Sequence, residues 1–184
     1  TNTLSDYAAR GYVLVNQDAT ATAGNYDNVD NVTQFAYVYL DHGTVVVTPD
    51  TPGDPGSPMY PDVPDTPVWP EGTGIDGVKQ TINGLISYQY ANGDEVFPDV
   101  TRTVTFERSI TLDAVTGEQI STTDWVVTAG DDDWPETPSP VKDGYYADIS
   151  DILAVTIAPG DFDRSYMVTY YPMGQYVPVF PEGT

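Results

Sequence analysis

Pro49-Asp-Thr-Pro52-Gly-Asp-Pro55-Gly-Ser-Pro58-Met-Tyr-Pro61-Asp-Val-Pro64-Asp-Thr-Pro67-Val-Trp-Pro70 sets a proline at every third position, using half of the chain's 16 prolines. A polyproline II helix has three residues per turn, so this period stacks the rings along one edge. Proline lacks the N–H and fixes φ, which argues against both helix and central strand. The residues between read as too polar and too small for a core. No Lys or Arg flanks the prolines, so the basic anchor typical of a proline-rich peptide ligand is missing. Two readings stay open: a semi-rigid strut of roughly 65–70 Å at about 3.1 Å per residue, softened at Gly53 and Gly56, or a disordered linker. Either divides the chain into an N-terminal domain at 1–48, a Pro-rich extended linker at 49–74, and a larger, mostly β domain at 75–184. A terminal linker occupies 172–184.

The charge is extreme: 28 acidic residues against 6 basic, with one histidine and a formal net charge of -22. Such a chain repels phosphate backbones and anionic headgroups, so nucleic acid and membrane surfaces are excluded as partners. No cysteine is present, which removes disulfides and thiolate metal sites. No apolar run approaches the ~18 residues of a membrane span. Fourteen Tyr, 5 Phe and 3 Trp supply enough apolar surface to fold.

Along the chain, Leu4–Arg10 reads as two turns of helix with Leu4, Tyr7 and Ala8 facing inward, stopped by Gly11. Tyr12–Val15 is a strand, Asn16–Asn31 a polar loop, and Gln34–Leu40 a strand with Phe35, Tyr37 and Tyr39 on one face. Thr44–Thr48 continues extended. Thr81–Tyr90 forms a hairpin with the segment beyond Asn92-Gly93, the strongest short hairpin signal. Val100–Leu112 alternates throughout, with Val104, Phe106, Ile110 and Leu112 on one parity. Glu118–Thr128 returns as a strand carrying Trp125, and Arg164–Tyr171 closes the domain. The fold class is mainly β or α+β. Pro67-Val-Trp-Pro-Glu-Gly-Thr73 is echoed by Pro178-Val-Phe-Pro-Glu-Gly-Thr184, as in a unit made to be strung in tandem.

The chemistry of an enzyme is missing. His42, the only histidine, sits in a His-Gly turn; no serine lies in a nucleophile elbow and no Gly-rich loop cradles phosphate. Asp131, Asp132 and Asp133 form one oxygen-rich loop, and Asp27 and Asp30 with Asn28 and Asn31 a second. Hard oxygen ligands in loops suit Ca²⁺, yet neither stretch has the alternating calcium-loop pattern, and solvated acidic turns fit as well. No cofactor is required.

The phrases Gly11-Tyr12, Tyr26-Asp27-Asn28, Leu40-Asp-His42-Gly43, Thr103-Val-Thr-Phe-Glu-Arg108, Asp113-Ala-Val-Thr-Gly117, Asp143-Gly144-Tyr145 and Val168-Thr-Tyr170 run through nearly the whole chain. In this order they resemble a mucus-binding repeat of the large surface adhesins of lactobacilli. The resemblance implies two small ubiquitin-like β-grasp domains in an elongated arrangement, the first of them reduced. It also implies an extracellular, cell-wall-anchored parent in which this chain is one repeat binding host mucin glycoproteins. Immunoglobulin bound through a sheet edge, or a purely structural stalk, are the alternatives. Trp69 and Trp134 lie beside prolines, which points to exposure. A flat indole stacks on a sugar ring while neighbouring carboxylates bond hydroxyls, so these two are the candidate glycan contacts, set against plain packing.

Overall fold

A computed structural model describes residues 3–17 and 35–174. They are mainly β, and the chain divides into two compact units: Thr1–Lys79 with Glu107–Val126, and Gln80–Phe106 with Val127–Thr184.

The first unit opens on α1 (Leu4–Ala8), a helix of five residues capped by Thr3. The Thr3 hydroxyl accepts from the Asp6 N–H while Asp6 accepts from the Thr3 N–H, a reciprocal capping box. The helix is shorter than its apolar spacing suggests, and no residue of it is buried. Gly11 ends the turn at φ +89°, as a C-terminal glycine should. β1 (Tyr12–Gln17) then pairs antiparallel with β2 (Val38–His42), Tyr12 opposite His42, with a bulge between Leu14 and Asn16. Phe35 and Tyr37 precede β2 and are exposed, so the inward face expected of them does not form.

β3 (Thr44–Val47) pairs with β6 (Ile110–Asp113), which pairs in turn with β7 (Gln119–Thr122). Between β3 and the single helical turn α2 (Ile75–Val78) lies the proline segment, and it is not an extended strut. It folds back on itself. The N–H groups of Gly53, Gly56 and Met59 donate to the carbonyls of Thr73, Trp69 and Pro67, and the Trp69 N–H returns to Ser57. The physical reason is the period itself. Each of Pro52, Pro55 and Pro58 is followed by a residue that keeps its N–H, so the three-residue repeat that stacks the rings also lines up donors. Met59 is buried with Val47, Val78, Ile110 and Leu112, and Tyr60 and Trp69 pack on that cluster. Met59 and Tyr60 on one side of the 61–66 loop and Trp69 on the other thus supply the apolar burial a strut would lack, while Val68 stays exposed. No linker at 49–74 separates the two units; the segment belongs to the first.

The second unit is a five-stranded sheet. β4 (Lys79–Tyr90) and β5 (Glu95–Glu107) form the expected hairpin, with Gly93 at φ +92° in the turn. The order is β11 (Tyr145–Ala147), β14 (Arg164–Pro172), β4, β5, β8 (Val126–Gly130). β14 runs parallel to β4 from Arg164 opposite Gly84 to Tyr170 opposite Tyr90. Alternate residues of β4 face inward: Ile82, Ile86 and Tyr88 are buried. Ile86, Tyr88, Ile152, Val168 and Tyr170 form one cluster, with Phe97 packed against it. Two short pairs complete the unit: β9 (Asp133–Trp134) with β13 (Val155–Thr156), and β10 (Thr137–Pro138) with β12 (Asp151–Ile152).

Val104, Phe106, Ile110 and Leu112 are all buried, as their shared parity requires, but the first two serve the second unit and the last two the first. The run breaks at Arg108-Ser109. The return strand is likewise two strands, β7 and β8, and Trp125 stands between them, half-buried under the Arg108 guanidinium at 4.5 Å. The closing strand reaches Pro172, so the first residue assigned to a terminal linker is sheet. The echo at Pro178–Thr184 lies outside the described residues, as does most of the polar loop after β1.

Candidate functional site

Of the two tryptophans singled out as sugar contacts, Trp134 is buried and Trp69 is half-buried. Trp134 is 6% exposed, its indole N–H donates to the Asp131 carbonyl at 2.9 Å, and its ring lies against Gly84, where a Cβ would stand 2.5 Å away. With Asp133, Pro135 and Val155 it lines a cavity of about 270 Å³. Trp69 packs on the Met59 cluster over Gly53. The loop-and-proline context suggested exposure; what overrides it is that each indole has a glycine to lie on.

Among Asp131, Asp132 and Asp133, the first accepts from the Asp133 N–H and the third from the Thr156 hydroxyl. These carboxylates fasten their own turn, and among the described residues no group of three or more acidic or histidine side chains converges on a metal position. Asp27 and Asp30 lie outside the described residues.

What the fold does bring together is a set of phrases far apart in sequence. The Gly43 N–H donates to the Gly11 carbonyl at 2.8 Å, and the Ala114 N–H donates to the Gly43 carbonyl at 2.9 Å. Gly11 has no room for a side chain: a Cβ there would sit 2.4 Å from the Ala114 oxygen. This close approach places Tyr12, His42 and Asp113 side by side. His42 Nδ1 lies 2.7 Å from Asp113 Oδ2, and the other Asp113 oxygen accepts the N–H groups of Val115 and Thr116. The His42 bond first, and the two backbone donors, hold the Asp113 carboxyl down at about 2. The dyad fastens a turn.

Beside it opens a cavity of about 270 Å³. Tyr7, Arg10 and Tyr12 line it from one stretch, Tyr60, Val63 and 65–67 from a second, and Val115 from a third. The walls are held firmly. Tyr7 meets Tyr12 edge to face at 5.7 Å, and Tyr12 meets His42 the same way at 5.3 Å. The Tyr60 hydroxyl donates to the Ala114 carbonyl at 2.8 Å, and burial, then the Asp113 charge, push its phenol up, keeping that proton in place. Asp65, on the loop, is the one non-glycine among the described residues at positive φ, +56°. Sequence reasoning missed this cavity because its members come from three separated stretches. The adjacent Gly11-Tyr12 and His42-Gly43 phrases were the available signal.

The comparisons agree with this architecture. Residues 76–174 match the Muc B2-like domain. No curated protein matches the chain. Among solved structures, the chain is 25% identical to Mub-RV over 93% of this chain and 80% of that one, with a TM-score of 0.59. It is 32% identical to the MucBP domain of the adhesion protein from Pediococcus pentosaceus, over 50% of this chain and 98% of that one, TM-score 0.41. It is 23% identical to the type 2 repeat of the mucus binding protein MUB from Lactobacillus reuteri, over 92% and 80%, TM-score 0.46. The fold likeness rests on Mub-RV. The matched domain includes Glu107–Val126, which packs in the first unit, so family domain and compact unit do not coincide. With more than half of its length inside the match, the chain belongs to the Mub-type, MucBP-related family, its Muc B2-like domain at residues 76–174.

Proposed function

We propose that this chain is a non-enzymatic repeat of a bacterial surface adhesin, displayed outside the cell on a wall-anchored parent, that binds mucus glycoproteins. The observation that carries the reading is the Muc B2-like match across 76–174, together with the likeness to Mub-RV over 93% of the chain. The relatives are repeats of adhesive proteins, and tandem display turns weak single contacts into firm attachment. The parallel β4–β14 pair at the centre of the second sheet, with a hairpin on one side, supports a β-grasp relationship for that unit, although among its described residues no helix crosses the sheet.

The test is binding of the purified chain to immobilised mucin before and after enzymatic deglycosylation, with immunoglobulin in parallel. Binding lost with the glycans is the expected result. No binding to intact mucin sinks the reading. A second mode has one observation in its favour: β8 is an edge strand exposed along its whole length, with Val126 and Val127 outward. An unpaired edge can accept a strand from a protein partner. Binding that survives deglycosylation, or that favours immunoglobulin, would move the contact to that edge.

A further inference from the structure

We propose that the cavity between Arg10 and the 60–67 loop is a binding site for one anionic sugar ring, a pyranose carrying a carboxylate or a sulfate ester. The choice of a sugar rests on the adhesive reading above; the site itself rests on the geometry of the first unit.

The central observation is the state of Arg10. In a chain of net charge -22 with 6 basic residues, cations are scarce and most are committed. Lys79 pairs with Glu107 and Arg164 with Asp161. Arg102 donates to Pro135 and Thr137, and Arg108 donates to Gly77 while lying over Trp125. The Arg10 guanidinium lines the cavity and, among the described residues, makes no hydrogen bond or ion pair within 4 Å; its electrostatic neighbour is Asp6, whose carboxylate is already bonded to Thr3. A planar fork of donors left open in a concave site matches a carboxylate or sulfate, which it can grip through two N–H groups.

The rest of the cavity selects for a ring. Tyr7, Tyr12 and Tyr60 give it aromatic walls; His42 holds Tyr12, the Ala114 carbonyl holds Tyr60, and Tyr7 rests edge to face on Tyr12, so little ordering entropy is left to lose on binding. Ligand pockets span about 300–1,000 Å³, and this one, at about 270 Å³, is sized for a single ring. Asp65 adds the polar counterpart. It lines the cavity from a loop position at φ +56°, a turn conformation that aspartate adopts readily. Its carboxylate accepts hydrogen bonds and repels a bare anion, so a ligand must offer hydroxyl donors to Asp65 together with a negative group for Arg10. A hydroxylated sugar acid satisfies both. A simple sulfate ion satisfies one and is opposed by the other.

The experiment titrates the whole ¹⁵N-labelled chain by two-dimensional NMR with glucuronic acid, N-acetylneuraminic acid, galactose 6-sulfate, galactose and sodium sulfate. At least one anionic sugar is expected to shift the amides of Arg10, Tyr12 and the 63–67 loop, binding about tenfold or more tightly than galactose or sulfate ion. The two sugar acids and the sulfate ester between them identify which anionic group is taken. Arg10→Ala should weaken that binding about tenfold or more, and Arg10→Lys, which keeps the charge without the fork, should fall between. Thermal melts of both variants check that the fold is intact, and should Arg10→Ala unfold, Arg10→Lys decides alone. Equal binding of galactose, shifts confined to other surfaces, no binding by any anionic sugar, or an Arg10→Lys chain that binds as tightly as the parent would overturn the proposal. Mucin binding that persists unchanged in Arg10→Ala removes the cavity and leaves the adhesive reading standing. Absence of mucin binding by the parent removes the adhesive reading, while the titration still reports on the cavity.

Discussion

Gly11 is a position where one carbon atom matters. Its φ of +89° is costly for any L side chain, and a Cβ would press on the Ala114 carbonyl at 2.4 Å. Gly11→Ala is expected to destabilise the chain by about 1–3 kcal/mol, measured by urea unfolding. Asp113 makes a second residue-scale prediction. Its carboxyl is depressed from 3.8 to about 2, chiefly by the His42 bond, so the native state holds the ionised form more tightly than the unfolded chain does. That contribution is complete above about pH 4 and is lost as pH falls toward 2. In His42→Ala, the Asp113 titration followed by carboxyl NMR should move up toward 3.8. The sequence shows a His-Gly turn and an Asp-Ala-Val-Thr-Gly turn, each legible by itself. Their pairing, 71 positions apart, is a tertiary fact that no local pattern carries.

The element where local and global readings part is the proline segment. A period of three reads as a rod or a disordered linker because proline forbids a ladder; the residue after each of Pro52, Pro55 and Pro58 keeps its donor, and those three donors find carbonyls on the returning arm. Met59 decides between the two readings in one variant. If 49–74 were a solvated rod, Met59→Ala would be almost silent. Buried as it is at 7% exposure, it should cost about 2–5 kcal/mol. A midpoint shift in denaturant close to zero would return the segment to a strut. Elements with a strict two-residue alternation were far more legible. β4 and β5 turn at Asn92-Gly93 as read, and β5 keeps the parity of Val104 and Phe106, since burial on one face fixes register. The break at Arg108-Ser109 escaped notice because parity continues through it, and alternation says which face is buried but not in which core.

On the scale of the whole molecule, a net charge of -22 opposes any compact state. Raising NaCl from about 10 to about 150 mM shortens the Debye length to about 8 Å and should raise the melting temperature. Mucin binding should not fall steeply over the same range, because bulk charge attracts nothing anionic here; a steep loss would mean that long-range attraction is what binds. The arrangement of β4 and β14 adds a consequence of another kind. The two strands lie side by side and point the same way, one near the start of the matched domain and the other at its end. Tension entering at Lys79 and leaving at Pro172 therefore slides the strands past each other, and their hydrogen bonds resist together instead of opening one by one. Loaded in that direction, the unit would yield in shear, with the bonds of the pair loaded together. Single-molecule stretching should find this unit a stiff mechanical clamp, and Val168→Pro, which removes a donor from the middle of the pair, should lower the force at which it gives way.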